Sequence, residues 1–432
     1  MDLTEIETSP VDGRWKGIPA GTPPFALGEI GRFGWNVLAG DLPLPVAVLK
    51  EQPLARNGAW MRRFLGLSGA VIAPHGKTTM SPQLFARQLA DGAWGITLAT
   101  LHQVVVARRY GVPRILLANQ IVDDGGLAWL LEELERDPGF DFYCLVDSVE
   151  GVELLAAAVA RNDPGRPLQL LLEGGYLGGR TGCRTLDQAL RVAEAVKRGA
   201  PALSLRGIEG FEGIPPGTTE AEREASVEAF LRFLLDIARA CEAADSFAPG
   251  PVILSAGGSA YYDMVTDLLA GGALDREALL VLRSGCYLTH DSGTYRAAFR
   301  RLVERTPEAG SLGGGLQPAL ELWAYVQSRP EPTRAVLSLG KRDASYDSGL
   351  PEPLWWHPRG RTGPARPIGP GHAVIALNDQ HAYLDLPADS PLEVGDMVGL
   401  GISHPCLTFD KWQILPVVDD GYTVRGAIRT FF

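Results

Sequence analysis

Between residues 69 and 285 the chain repeats one rhythm: a short, unbroken apolar run, a turn, then a stretch whose apolar positions recur at helical spacing. The runs are "AVIAP" (core 71–74), "GITLAT" (95–100), "RILLAN" (114–119), "FYCLVD" (142–147), "LQLLLEG" (168–174), "LSLRGIEG" (203–210), "PVILSAGG" (251–258) and "LLVLRSG" (279–285). Helical stretches follow them, among them "SPQLFARQLADGA", "DSVEGVELLAAAVARN" and "TTEAEREASVEAFLRFLLDIARACEAA". Several of these open on a Ser, Asp or Thr suited to capping a helix. Runs with no polar alternation belong to strands buried on both faces, which is the condition of a parallel sheet. Eight such units predict a closed (β/α)8 TIM-like barrel, and a doubly wound open sheet is the alternative, because rhythm alone does not reveal closure.

After "HDSGTYRAAFRRLVERTPEAG" the rhythm changes. "ALELWAYVQSRP", "RAVLSLGKRD", "HAVIALNDQHAYLDL", "VGDMVGLGIS" and "WQILPVV" read as strands separated by Gly and Pro clusters, which predicts an antiparallel β domain. The loop "PRGRTGPARPIGPGH" is too rich in Pro and Gly for regular structure. The predicted division is a segment over 1–42 packing on the β domain, a barrel over 43–305 entered through "LPLPVAVLK", and the β domain over 306–432.

Composition narrows the partners. At 432 residues, 46% hydrophobic and 21% charged, the chain has the make-up of a globular protein with more than one domain. A net charge of −11 argues against nucleic acid or an anionic membrane as the main partner, though not against a local cationic pocket. Five scattered cysteines do not make a disulfide framework. The first residues, "MDLTEIETSP", lack the charged-then-apolar pattern of a signal peptide, and no apolar run reaches the ~18 residues needed to span a bilayer. The expected location is the cytoplasm.

Barrel active sites lie at the carboxyl ends of the strands, so the residues ending each run are the candidates. The first run ends in "HGKTT", with His75 and Lys77; the third ends at Asn119 and Gln120, the fifth at Glu173, and the sixth near Glu209 and Glu212. Lys77 is either a solvated charge or an amine placed for chemistry. The seventh and eighth runs end in "SAGGS" and "RSGCY", carrying Ser255, Gly257, Gly258, Ser259, Gly285, Cys286 and Tyr287. Small residues there let backbone N–H groups reach an anion, and phosphate binds often at the last two loops of this fold. A phosphate on that side and a lysine ending strand one suit pyridoxal 5'-phosphate, its aldehyde bonded to the amine. A second signal is "SHPC": His404 and Cys406, two apart at a strand end with side chains that would point the same way, are natural zinc ligands, though two fall short of the usual three and a buried Cys beside a packed His is the alternative.

With these residues in view, "APHGKTTM" resembles the lysine segment of the alanine-racemase-like pyridoxal-phosphate enzymes, in the branch of D-serine dehydratase and D-threonine aldolase. "GITLATLHQ", "LANQIV", "EGGYLGGRTGCR", "GIEGFEG", "SAGGSAYYD", "LRSGCY" and "SHPCLTFDKW" match in order, from about residue 43 to the C-terminus. The resemblance implies that Lys77 forms the Schiff base, that Gly257, Gly258, Ser259, Gly285 and Tyr287 hold the phosphate, and that Gln120 and Arg180 surround the ring. "EGGYLGG" and "FEG" depart from the segments of many relatives and blur the substrate pocket. The resemblance further implies zinc on His404 and Cys406, as in D-serine dehydratase, where aldolases carry an acidic or varied segment. It points to dehydration of D-serine or another D-3-hydroxy amino acid to a 2-oxo acid and ammonia, by a homodimer. Aldol cleavage is the first alternative. Racemisation, which needs a second opposed base, and a non-catalytic cofactor carrier are the others.

Overall fold

The computed structural model describes residues 1–270 and 274–432, which divide into two compact units. One comprises 62–77 and 88–285; the other comprises 1–61, 78–87 and 286–432.

The first unit is the barrel. Its eight strands are Val71–Ile72, Ile96–Leu98, Arg114–Leu117, Asp141–Val146, Leu168–Gly174, Leu203–Gly210, Val252–Ala256 and Ala278–Leu282, one for each apolar run. All neighbouring pairs are parallel, and the last strand pairs with the first. Closure comes from His75, just beyond the first strand, which bridges in parallel to Thr97 on the second. There the Thr97 N–H donates to Pro74 O (2.9 Å) and its hydroxyl donates to Ala73 O (2.6 Å). The barrel is therefore closed, and the open-sheet alternative does not hold. Its interior is packed rather than hollow: Ala73, Leu116, Tyr143, Leu145, Leu171, Ile253 and Val281 form one buried cluster.

Helices start where the sequence supplies caps. Thr100, Asp123, Ser148 and Thr185 each accept a backbone N–H three residues on. Thr219 and Glu222 form a reciprocal capping box at the head of Glu220–Ala243.

In the second unit the twelve-residue strand Leu320–Glu331 is the centre of an antiparallel sheet. It pairs with Met397–Gly401 and with Val46–Lys50, so "VAVLK" is a strand of this sheet. Trp323 on the central strand is fully buried, and a Cβ at Gly399 on the neighbouring strand would meet its ring at 2.7 Å. The N-terminal segment packs here too. Val37 N–H donates to Tyr422 O (3.1 Å), Val424 N–H donates to Trp35 O (2.8 Å), and Lys16 pairs with Asp343 at 2.7 Å. Among the described residues no helix is long and apolar enough to cross a membrane.

Thr97 tests the closure. Thr97→Val keeps the shape but deletes the hydroxyl bond to Ala73, and should cost about 1–3 kcal/mol in denaturant unfolding, as expected for a buried acceptor left short of its donor.

Candidate active site and metal pair

Lys77 lies in a 3-10 turn, Gly76–Thr78, directly after the strand whose end closes the barrel, and its side chain is exposed. Two residues earlier, His75 keeps Nδ1 out of solvent and without a hydrogen-bond partner. Burial, and then the positive charges of Lys77 and Arg283, hold this imidazole well below its ordinary pKa, so it is neutral at pH 7.

Three carboxylates are buried at the same strand ends, and each is relieved differently. Glu173 accepts from Gln120 Nε2 (2.6 Å) and Thr181 Oγ1 (2.8 Å); burial raises its pKa against these two bonds. Glu209, 1% exposed, pairs with Arg283 at 2.5 Å, yet burial still pushes it up to about 8. Its Oε2, like Arg283 Nε, has no partner. Glu212 is completely buried and accepts from the backbone N–H groups of Gly257 (Oε2, 3.0 Å) and Gly258 (Oε1, 2.6 Å).

The sequence candidates are distributed as follows. Gln120 braces Glu173. Arg180 is exposed, with its guanidinium 4.4 Å from the centre of the Phe211 ring. Its loop is tied down by Arg184, which donates to the carbonyls of Thr181 (2.6 Å), Gly182 (3.0 Å) and Gly179 (3.1 Å). Ser255 turns its hydroxyl to Val281 O (3.0 Å), so it fastens the seventh strand to the eighth. Gly257, at φ +91°, and Gly258 present adjacent N–H groups as an anion cradle. Ser284 Oγ donates to both of their carbonyls, at 2.9 and 3.0 Å, and fixes the loop. Ser259 is half-buried on this loop, and Gly285, which ends the eighth strand's loop, is buried. Sequence reasoning assigned no role to Glu209, Glu212 or Arg283; the clue to Arg283 was a charge inside the apolar run "LLVLRSG".

The remaining candidates fall in the other unit. His404 and Cys406 do converge, but not along an extended strand. The strand ends at Gly401, and Pro405 (φ −67°, ψ −40°) turns the chain into the short helix Cys406–Phe409. The two side chains are near enough to act on one another electrostatically. His404 Nδ1 is 2.7 Å from Asp347 Oδ2, the carboxylate backing that orients a ligating imidazole. Burial lowers the imidazole's pKa, but Cys406 and Asp347 outweigh it and hold it at about 9. Cys286 places its thiol 3.8 Å from that of Cys406, and Thr78 Oγ1 is 3.5 Å from Cys406 Sγ and 3.7 Å from Cys286 Sγ. The Cys286 contact holds the Cys406 thiol well below its usual range, with His404 adding to it against burial. Tyr287 is buried, 3% exposed. Among the described residues no group of three or more His, Cys, Asp or Glu is arranged to hold a metal.

Comparison with known proteins bears on the family and the fold. Residues 319–418 match the family described as "Putative serine dehydratase domain". D-threonine aldolase of Arthrobacter sp is 26% identical over 381 residues, 87% of this chain and 89% of that one. D-threo-3-hydroxyaspartate dehydratase of Delftia sp. (strain HT23) is 31% identical over 153 residues, 35% of this chain and 39% of that one. The crystal structure of D-threonine aldolase from Filomicrobium marinum superimposes with a TM-score of 0.73 at 23% identity, covering 90% of this chain and 95% of the other. These matches support a place in the D-serine dehydratase and D-threonine aldolase family, and the fold is alanine-racemase-like.

The cradle depends on glycine. A Cβ at Gly257 would lie 2.7 Å from Leu282 Cδ2 in a left-handed backbone conformation. Gly257→Ala should therefore destabilise by about 1–3 kcal/mol, read as a lower unfolding midpoint.

Proposed function

We propose that the chain is a pyridoxal-phosphate-dependent lyase of D-3-hydroxy amino acids that eliminates water to give a 2-oxo acid and ammonia. Relatives named for acting on D-threonine and D-threo-3-hydroxyaspartate support the substrate class. The observation that carries dehydration is the His404–Cys406 pair with Asp347 behind the imidazole, since the resembled D-serine dehydratases hold zinc on a His and a Cys.

The residues fit both groups. The Gly257–Gly258 cradle already accommodates an anion, and three buried polar atoms, His75 Nδ1, Glu209 Oε2 and Arg283 Nε, await partners. An imidazole fixed by a carboxylate beside an acidic thiol is the donor chemistry zinc takes. When bound, pyridoxal phosphate supplies an electron sink for charge at Cα, and zinc supplies a Lewis acid for a departing hydroxide.

The chain's own residues do the rest. Lys77 Nζ would hold the cofactor, and the lysine amine, when free, would be the base for the Cα proton. Neutral His75, beside Lys77, offers no competing positive charge. The amides of Gly257 and Gly258 hold the phosphate. His404 Nδ1, committed to Asp347, leaves Nε2 as the ring's donor.

Aldol cleavage is the second reading, because the match to the Arthrobacter D-threonine aldolase runs through 87% of the chain. D-threonine separates the two. Dehydration yields 2-oxobutanoate and ammonia; glycine and acetaldehyde in their place would establish cleavage. Chelation should lower 2-oxo acid formation from D-serine by at least about a hundredfold, with zinc restoring it, and Cys406→Ala should lose metal and turnover together. Full-rate pyruvate formation by metal-free protein would contradict the zinc role. We also infer a homodimer, a closed two-fold assembly being the common state of such enzymes. Light scattering should return twice 46.4 kDa, and an active monomer would refute it.

A further inference from the structure

The cradle after the seventh barrel strand already holds an anion of the protein's own. Glu212 Oε2 takes the Gly257 N–H at 3.0 Å and Oε1 takes the Gly258 N–H at 2.6 Å, so one carboxylate spans both donors. The side chain is wholly buried. Arg283 is near enough to act on it electrostatically, but gives its ion pair to Glu209, 2.5 Å away. A Cβ at Gly258 would come within 3.0 Å of the Phe211 ring and 3.3 Å of Glu212 Oε1, so glycine at this position makes room for both.

We propose that Glu212 is the resident anion of the Gly257–Gly258 cradle, that a phosphate must displace it to bind, and that it thereby sets the affinity for a phosphorylated cofactor. The proposal rests on the cofactor reading above and adds the step that loading requires.

Two anions cannot share these donors. A phosphate accepting both N–H groups would meet a buried carboxylate at hydrogen-bond distance, where like charges repel with little screening. The loop itself is not free to yield. Ser284 Oγ holds the carbonyls of both glycines, and the Arg283 N–H donates to Gly257 O at 3.2 Å. Glu212 lies instead in a stretch, 211–217, with neither helix nor strand, just past the sixth strand's end at Gly210. The moving part is therefore the side chain. Burial also raises its pKa, against the pull of the amides and Arg283, so its hold on the cradle is already opposed by desolvation. A carboxylate that merely braced the loop would act in the opposite sense: its removal would loosen the cradle and weaken phosphate binding.

The sign of the effect is the test. Full-length wild type, Glu212→Gln and Glu212→Ala, dialysed free of bound cofactor, are titrated with pyridoxal phosphate, pyridoxal and inorganic phosphate, following tryptophan fluorescence. Circular dichroism confirms that each variant is folded. A neutral amide has one acceptor oxygen where the carboxylate has two, and its NH2 cannot accept an N–H, so Glu212→Gln should bind pyridoxal phosphate at least about tenfold more tightly. Inorganic phosphate should gain likewise in both folded variants, while pyridoxal, lacking the phosphate, should change less than about twofold. Unchanged or weaker pyridoxal phosphate binding in the folded variants, or an equal gain for pyridoxal, would overturn the proposal. If pyridoxal phosphate binds none of the three proteins, the cofactor reading fails. Tighter inorganic phosphate binding in Glu212→Gln would then still uphold the displacement, and its absence would end that too.

Discussion

The lysine, the buried carboxylates and the glycine cradle of the candidate site are brought together by closing eight parallel strands on themselves. Parallel pairing sends every carboxyl end to one rim, so side chains far apart in sequence share a mouth only if the sheet closes. Here closure depends on few atoms, because the first strand proper is only two residues long. The bridge from His75 to Thr97, with the Thr97 hydroxyl on Ala73 O, completes it. Lys77 stands two residues past that bridge. The contact that shuts the barrel also fixes the backbone from which the lysine projects.

Closure also creates an electrostatic difficulty, since Glu173, Glu209 and Glu212 are carried to strand ends that the fold buries. A buried carboxylate must find donors or lose its charge. Glu173 takes side-chain donors, Glu209 takes a guanidinium, and Glu212 takes the main chain. These solutions consume groups that a ligand could also use. The mouth is thus preorganised around anions, with its donors aimed inward before any ligand arrives.

Much of this was legible in the sequence, for reasons that differ by element. The eight strands could be read because burial on both faces leaves unbroken apolar runs; Lys77 alone could equally be a solvated charge, and only the Gly- and Ser-rich ends of the last two runs and the family resemblance singled it out. The environment of His404 was not legible, because its partner Asp347 is 57 residues distant and only the fold joins them. Cys286 read as a phosphate-loop residue from its neighbour Gly285, yet its thiol meets Cys406, 120 residues on. The convergence of His404 and Cys406 was anticipated for the wrong geometric reason: a helical turn at Pro405 brings them together, not the pleat of a strand. Glu212 was visible as a candidate at the end of the sixth run, but with no role; that depends on amides 45 and 46 residues later.

The central claim is that Lys77 is the amine that carries the cofactor. Reducing the purified protein with borohydride and mapping its peptides tests this directly. The account predicts a single pyridoxyl adduct, on Lys77. An adduct on Lys341 or Lys411, or a protein that takes up no cofactor at all, would contradict it.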